Sequence, residues 1–240
     1  MRYAVFGDIH ANYDALDAVL ADIAEREIDV MLCIGDVVGY GAEPGRCIAR
    51  VRETGALCLV GNHDHAATGK LGVDFFNLYA KQAALWTREQ LGEEDKRFLD
   101  GLGFVEHFQD FAVVHGSLHG PEMFNYVQTI FDAELSFEAL DKAVLFYGHT
   151  HIPLSFFDTT PMTYTMDAEV TVDPDIKTLV NVGSVGQPRD ENPKSCYGIF
   201  DDIAMTVELR RVAYDVESAA AKIREAGLPE ALAVRLELGK

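Results

Sequence analysis

Short apolar runs alternate with amphipathic stretches over residues 1–60, the pattern of strands exchanging with helices in an α/β fold. Arg2 to Phe6, Val30 to Ile34 and Ala56 to Val60 read as buried strands. Between the first two, Leu16, Val19, Leu20 and Ile23 recur at helical spacing. Between the second and third, Pro44 opens a helix that carries Ile48 and Val51. Two crossover helices of this kind imply a parallel sheet.

The middle of the chain is more helical, with Phe75 to Leu91 and Glu93 to Leu102 as candidates, before apolar runs return at Phe111 to Val114 and Ala143 to Tyr147. From Ile152 to Val212 alternating Thr, Tyr, Phe and Val with Asp-Pro and Asp-Asp breaks predict hairpins, and so a second sheet, mixed or antiparallel. Asp215 to Ala226 reads as a helix ended by Gly227, and Pro229 starts a last short helix whose Leu232 and Leu236 dock on the body. With no linker or internal repeat, residues 1–240 read as a single domain.

Composition fits a packed core: 48% of residues are hydrophobic and no tract is of low complexity. The net charge of −19 repels long nucleic acid and anionic membrane, which leaves a small anionic partner whose charge bound cations can offset. No apolar run is long enough to span a bilayer and Met1 leads straight into a strand, so a cytoplasmic location is expected. Cys33, Cys47, Cys58 and Cys196 form no Cys-x-x-Cys pair and read as reduced thiols.

The chemistry follows the strands. Asp8 and His10 come after the first, Asp36 after the second, Asn62 and His63 after the third, His115 directly after Val114, and His149 and His151 just past Tyr147. Carboxyl ends of strands line the crevice of an open α/β sheet, so these side chains should converge. Imidazole mixed with carboxylate suits manganese, iron or zinc. Seven ligands, Asp8, His10, Asp36, Asn62, His115, His149 and His151, are too many for one such ion and right for two that share a carboxylate.

The run Asp-x-His, Gly-Asp, Gly-Asn-His-Asp, lone His and Gly-His-x-His over positions 8 to 151 resembles the calcineurin-like metallophosphoesterases, in particular their bacterial-type small phosphodiesterase branch. The resemblance implies two packed mixed β-sheets flanked by helices, a four-layer α/β sandwich. It implies a first metal on Asp8, His10, Asp36 and His151 and a second on Asp36, Asn62, His115 and His149, with Asp36 bridging. After residue 151 it rests on Asn181-Val182-Gly183-Ser184. Two divalent ions, manganese or iron ahead of zinc or nickel, would activate a bridging water for in-line attack at phosphorus. His63 would assist as the catalytic imidazole, oriented by Asp64 unless that residue is a solvated turn acid.

The expected activity is hydrolysis of a small phosphodiester or nucleotide; the alternatives are a phosphomonoesterase and a non-catalytic metal-binding scaffold of the same fold. Where some relatives carry Asp-Arg-Gly, this chain has Gly39-Tyr40-Gly41, so phosphate must be gripped by another cation. Arg189 is the candidate, against a surface arginine paired with Asp190 or Glu191. Tyr40, with Phe75, Phe76, Phe124 and Tyr126, forms either an aromatic wall for substrate or ordinary core. Asn12 either touches substrate or, as the better reading, caps the helix that carries Leu16.

Overall fold

The computed structural model describes residues 1–240 as two six-stranded mixed sheets packed face to face, with eight helices around them. The first sheet contains β1 (Arg2–Phe6), β2 (Val30–Cys33), β3 (Leu57–Cys58), β9 (Glu169–Thr171), β11 (Ser195–Asp201) and β12 (Thr206–Val212), in the order β3-β2-β1-β11-β12-β9. The second contains β4 (Val105–His107), β5 (Phe111–Val114), β6 (Val144–Tyr147), β7 (Leu154–Phe157), β8 (Thr163–Thr165) and β10 (Thr178–Asn181), in the order β4-β5-β6-β10-β7-β8.

Strands covered on both faces need apolar side chains at every position, which explains the continuous runs. Tyr3 and Val5 of β1 face the second sheet, where they meet Phe111 and Val113 of β5 and Val144 and Phe146 of β6. Ala4 and Phe6 turn the other way, onto α1 (Tyr13–Ala24) and α2 (Pro44–Thr54). On the far side of the second sheet, Ala112, Leu145 and Tyr147 pack on Ala133 and Phe137 of α6 (Ile130–Ala139). One residue of register slip in any of these strands would exchange its two cores.

The parallel arrangement of β1, β2 and β3 agrees with the two crossover helices. Asn12 caps α1, its side-chain oxygen accepting from Ala15 N at 3.1 Å. The third strand is shorter than its apolar run, because Leu59 leaves it to bridge Gly103. Segments Phe75 to Leu91 and Glu93 to Leu102 contain α4 (Leu78–Gln90) and α5 (Glu93–Asp100).

Three elements were not legible: α3 (Asn62–Thr68), β4 and α6. The hairpin region also does not form one sheet. β7, β8 and β10 extend the second sheet, while β9, β11 and β12 complete the first, with β11 antiparallel to β1. α7 (Val216–Glu225) and α8 (Glu230–Leu238) close the molecule, with Leu232 and Leu236 packed near Tyr40.

Candidate metal centre

All eight residues singled out at strand ends gather in one buried cluster at the carboxyl edge of both sheets; the most exposed of them, Asn62, is 8% accessible. Asp8, His10, Asp36, His149 and His151 adopt positive φ between 50° and 67°, a region costly for side-chain-bearing residues and concentrated at functional sites. The sharp turns follow β1, β2 and β6 and aim their side chains inward. A methyl group at Gly61 would collide with the Asp36 carboxylate, so only glycine admits this approach.

His10 Nδ1 lies 3.2 Å from the Val38 carbonyl, His151 Nδ1 2.6 Å from that of Gln187, and His115 Nδ1 2.9 Å from that of Ile34. A carbonyl only accepts, so each ring keeps a proton on Nδ1 and turns Nε2 to the centre, the arrangement of metal-binding imidazoles. His10 Nε2 then stands 3.0 Å from His151 Nε2. Burial holds both rings well below the ordinary imidazole pKa, so two lone pairs face each other at that distance. Two nitrogens each about 2.1 Å from one ion stand about 3.0 Å apart when the angle at the ion is near 90°. A cation shared by the two nitrogens would turn this repulsion into binding.

The carboxylates follow the same plan. Asp8 Oδ2 accepts from His149 N at 2.9 Å and Asp36 Oδ1 from His63 N at 2.8 Å, which fixes one oxygen of each. The other oxygens, Asp8 Oδ1 and Asp36 Oδ2, are buried without a hydrogen-bond partner, as is His149 Nε2. Buried acceptors in that state are rare unless an ion or water satisfies them. Asp36 Oδ2 lies 3.6 Å from His10 Nε2 and 3.4 Å from His115 Nε2, between the two halves of the cluster. His115 Nε2 is also 3.1 Å from His149 Nδ1 and 3.3 Å from Asn62 Oδ1. The ligand atoms of Asp8, His10 and His151 all fall within 4.8 Å of one another, as do those of Asp36, His115 and His149. The donor set therefore fits divalent cations.

Burial lifts the Asp8 carboxyl to a pKa of about 7. For His115 burial disfavours the charged ring, but the Asp36 and Asp8 carboxylates outweigh it and raise its pKa to about 9. Charge at that position is welcome, whether brought by a proton or by a cation that displaces it.

His63 sits beside this cluster with its ring 4.9 Å from that of His10, 4.4 Å from Tyr40 and 4.9 Å from Phe76. Its Nδ1 is buried without a partner, and burial lowers its pKa to about 4. Asp64 neither orients His63 nor faces solvent: it is buried and accepts from Val38 N at 3.1 Å and Gly61 N at 2.9 Å, tying the second turn to the third. The Nε of Arg189 is buried without a partner, its Nη2 donates to Gln187 Oε1 at 2.9 Å, and its guanidinium lies 5.6 Å from the Tyr40 ring centre. Its two expected surface partners are engaged elsewhere, Asp190 with Arg211 and Glu191 with Lys240.

Sequence reasoning missed the struts that hold the turns. Asn181 Nδ2 donates to Gly148 O at 2.8 Å and to Thr150 Oγ1 at 2.9 Å, while Ser184 Oγ donates to Asp8 O at 2.8 Å. The only signal was their place in the Asn181 to Ser184 segment.

Two mixed sheets with a histidine and carboxylate cluster at their common edge define a metallophosphoesterase-type protein. Residues 1–202 match the calcineurin-like phosphoesterase superfamily domain, and the chain belongs to that superfamily. It is 40% identical over 242 residues to the uncharacterised protein MJ0912 of Methanocaldococcus jannaschii, covering 99% of this chain and 98% of that one. It is 26% identical over 218 residues to the phosphodiesterase YfcE of Escherichia coli, covering 86% of this chain and 91% of that one. Among solved structures, a metallophosphoesterase from Sphaerobacter thermophilus superposes with a TM-score of 0.89 at 38% identity, covering 100% of this chain and 99% of that one. No helix is long and apolar enough to cross a membrane.

Proposed function

We propose that the chain is a two-metal phosphodiesterase acting on small phosphodiesters or nucleotides. Asp8, His10, Asp36 and His151 hold one ion; Asp36, Asn62, His115 and His149 hold the other. The observation that carries the assignment is the pair of buried, unpartnered carboxylate oxygens, Asp8 Oδ1 and Asp36 Oδ2, beside paired imidazole nitrogens. When bound, the two cations supply Lewis acidity, which activates water at neutral pH and neutralises charge growing on the phosphoryl oxygens.

The protein supplies the rest. Arg189 grips a non-bridging phosphoryl oxygen, with Tyr40 as the surface that carries its guanidinium. Its charge is felt at Asp8, His10, His63, His149 and His151. His63 hydrogen-bonds the departing oxygen through a ring N–H and stabilises the charge that grows on it. YfcE, a relative, is a phosphodiesterase by name.

The test is hydrolysis of bis(p-nitrophenyl) phosphate and p-nitrophenyl phosphate by chelator-stripped protein after adding manganese, iron, nickel, zinc or magnesium singly. Metal-dependent cleavage of the diester over the monoester supports the reading. Silence with every metal at two ions per chain would sink it in favour of a scaffold. His63→Ala should keep both ions and slow turnover by about 10²–10⁴-fold. Loss of an ion would make His63 a ligand, an option its nearness to His10 and Asp36 makes worth measuring.

A further inference from the structure

Next to the metal centre lies a cleft of about 580 Å³, within the usual range for small-molecule sites. Asn62, His63 and His149 form its inner end, so it is continuous with the place where the chemistry is assigned. Its walls are mainly apolar. Tyr126 lies flat against the His149 ring, with centroids 3.9 Å apart and planes 16° apart, and Phe76 packs at 4.9 Å from His63. Phe75 is fully exposed at the mouth, Met123 is 68% exposed and Tyr126 48%. Large apolar side chains left in water around one opening mark a surface shaped for something else to cover.

The lining also says what the occupant is not. No Lys, Arg, Asp or Glu contributes to it, so a second phosphate or a charged head group would be desolvated there without a counter-charge. A flat, neutral ring gains from both the area and the stacking geometry.

Direction comes from His63. On the reading above, on which this step rests, His63 serves the departing oxygen; the group carried by that oxygen therefore enters the cleft that opens from His63. We infer that the cleft between Phe75, Phe76 and Tyr126 is a leaving-group subsite for a planar uncharged ring, the biological class being a nucleobase joined through its ribose to the scissile phosphate. Arg189 serves the phosphate and the aromatic cleft serves the base, so the two ends of one substrate are recognised by different chemistry.

The experiment is calorimetric titration of manganese-loaded protein with AMP and with ribose 5-phosphate, which share phosphate and sugar and differ by the base. AMP should bind about tenfold more tightly, the usual worth of one aromatic stacking contact. Phe75→Ala and Tyr126→Leu should each lower that ratio, and Phe75, being fully exposed, can be cut back without disturbing the core. Equal affinity for the two ligands in the unaltered protein, or a base preference that survives both substitutions, would overturn the inference. Turnover of bis(p-nitrophenyl) phosphate in the same preparation is a separate readout. Its absence at full metal loading removes the diesterase reading and, with it, the leaving-group assignment, whatever the titrations show.

Discussion

Gly39 faces the imidazole of His63, and a methyl group placed on Gly39 would stand 2.5 Å from His63 Nδ1. Here the backbone itself closes against the ring, at a φ of +94° that favours glycine. Gly39→Ala should therefore push His63 out of line, with turnover of a chromogenic diester falling on the order of 10²-fold. The metal content, read by atomic absorption, should stay at the unaltered value, because His63 is not assigned as a ligand.

Asp36 stands between the two imidazole groups, so its charge serves both assigned ions. Asp36→Asn should cost more activity than any other single ligand change and lower the metal count for the whole centre. In the unaltered protein, a cation at about 100 times its Kd should add about 2.7 kcal/mol of stability. The resulting rise in Tm should be absent in the variant. Full turnover with two ions retained would contradict the bridging role.

Arg189 has no carboxylate partner and is available to a phosphate. Arg189→Ala should raise KM for the diester and lower kcat/KM by about 10–100-fold, the worth of a charge-assisted hydrogen bond of about 1.5–3 kcal/mol. Arg189→Lys should recover part of it, since the charge returns without the planar fork. An unchanged kcat/KM would return Arg189 to the role of a packing residue over Tyr40.

Far from the centre, Asp22 of α1 binds Arg210 through Nε at 2.8 Å and Tyr197 Oη at 2.6 Å, with Arg26 at 3.0 Å. The Arg210 guanidinium, outweighing burial, holds its carboxyl well below the usual carboxylate range, helped by Tyr197 and Arg26. A depressed folded-state pKa contributes stability that is present above the unfolded value of about 3.9 and is lost as pH falls through the folded one. Asp22→Asn should therefore destabilise by about 1–2 kcal/mol at pH 7. The gap in denaturant midpoint between variant and parent should narrow steadily below about pH 4.

The site was more legible than the fold around it. The eight side chains of the buried cluster were marked by type and by place, since His, Asp and Asn standing directly after apolar runs are out of pattern there. Sheet membership left no such mark. Val170 in β9 and Leu179 in β10 look alike in the sequence, yet one faces β12 in the first sheet and the other pairs with Phe156 in the second. That choice is made by packing between distant segments. Helix α3 escaped notice because its Asn62-His63-Asp64 start reads as a turn; Asp64 supports the helix by accepting the Gly61 N–H at its N-terminus. Asp64 also shows a limit of local reading, since its burial depends on Val38, 26 positions away.

The chain crosses from the second sheet to the first between β10 and β11, and that crossing carries Ser184, which holds the Asp8 carbonyl, and Gln187, whose carbonyl fixes the His151 ring. All seven assigned ligands are synthesised by residue 151, yet the pieces that set two of them in place arrive some three dozen positions later. Uptake of the proposed cations should therefore need the segment that carries Ser184 and Gln187. A ribosome-bound chain halted before position 184 would display every donor and still lack the frame that turns donors into a centre.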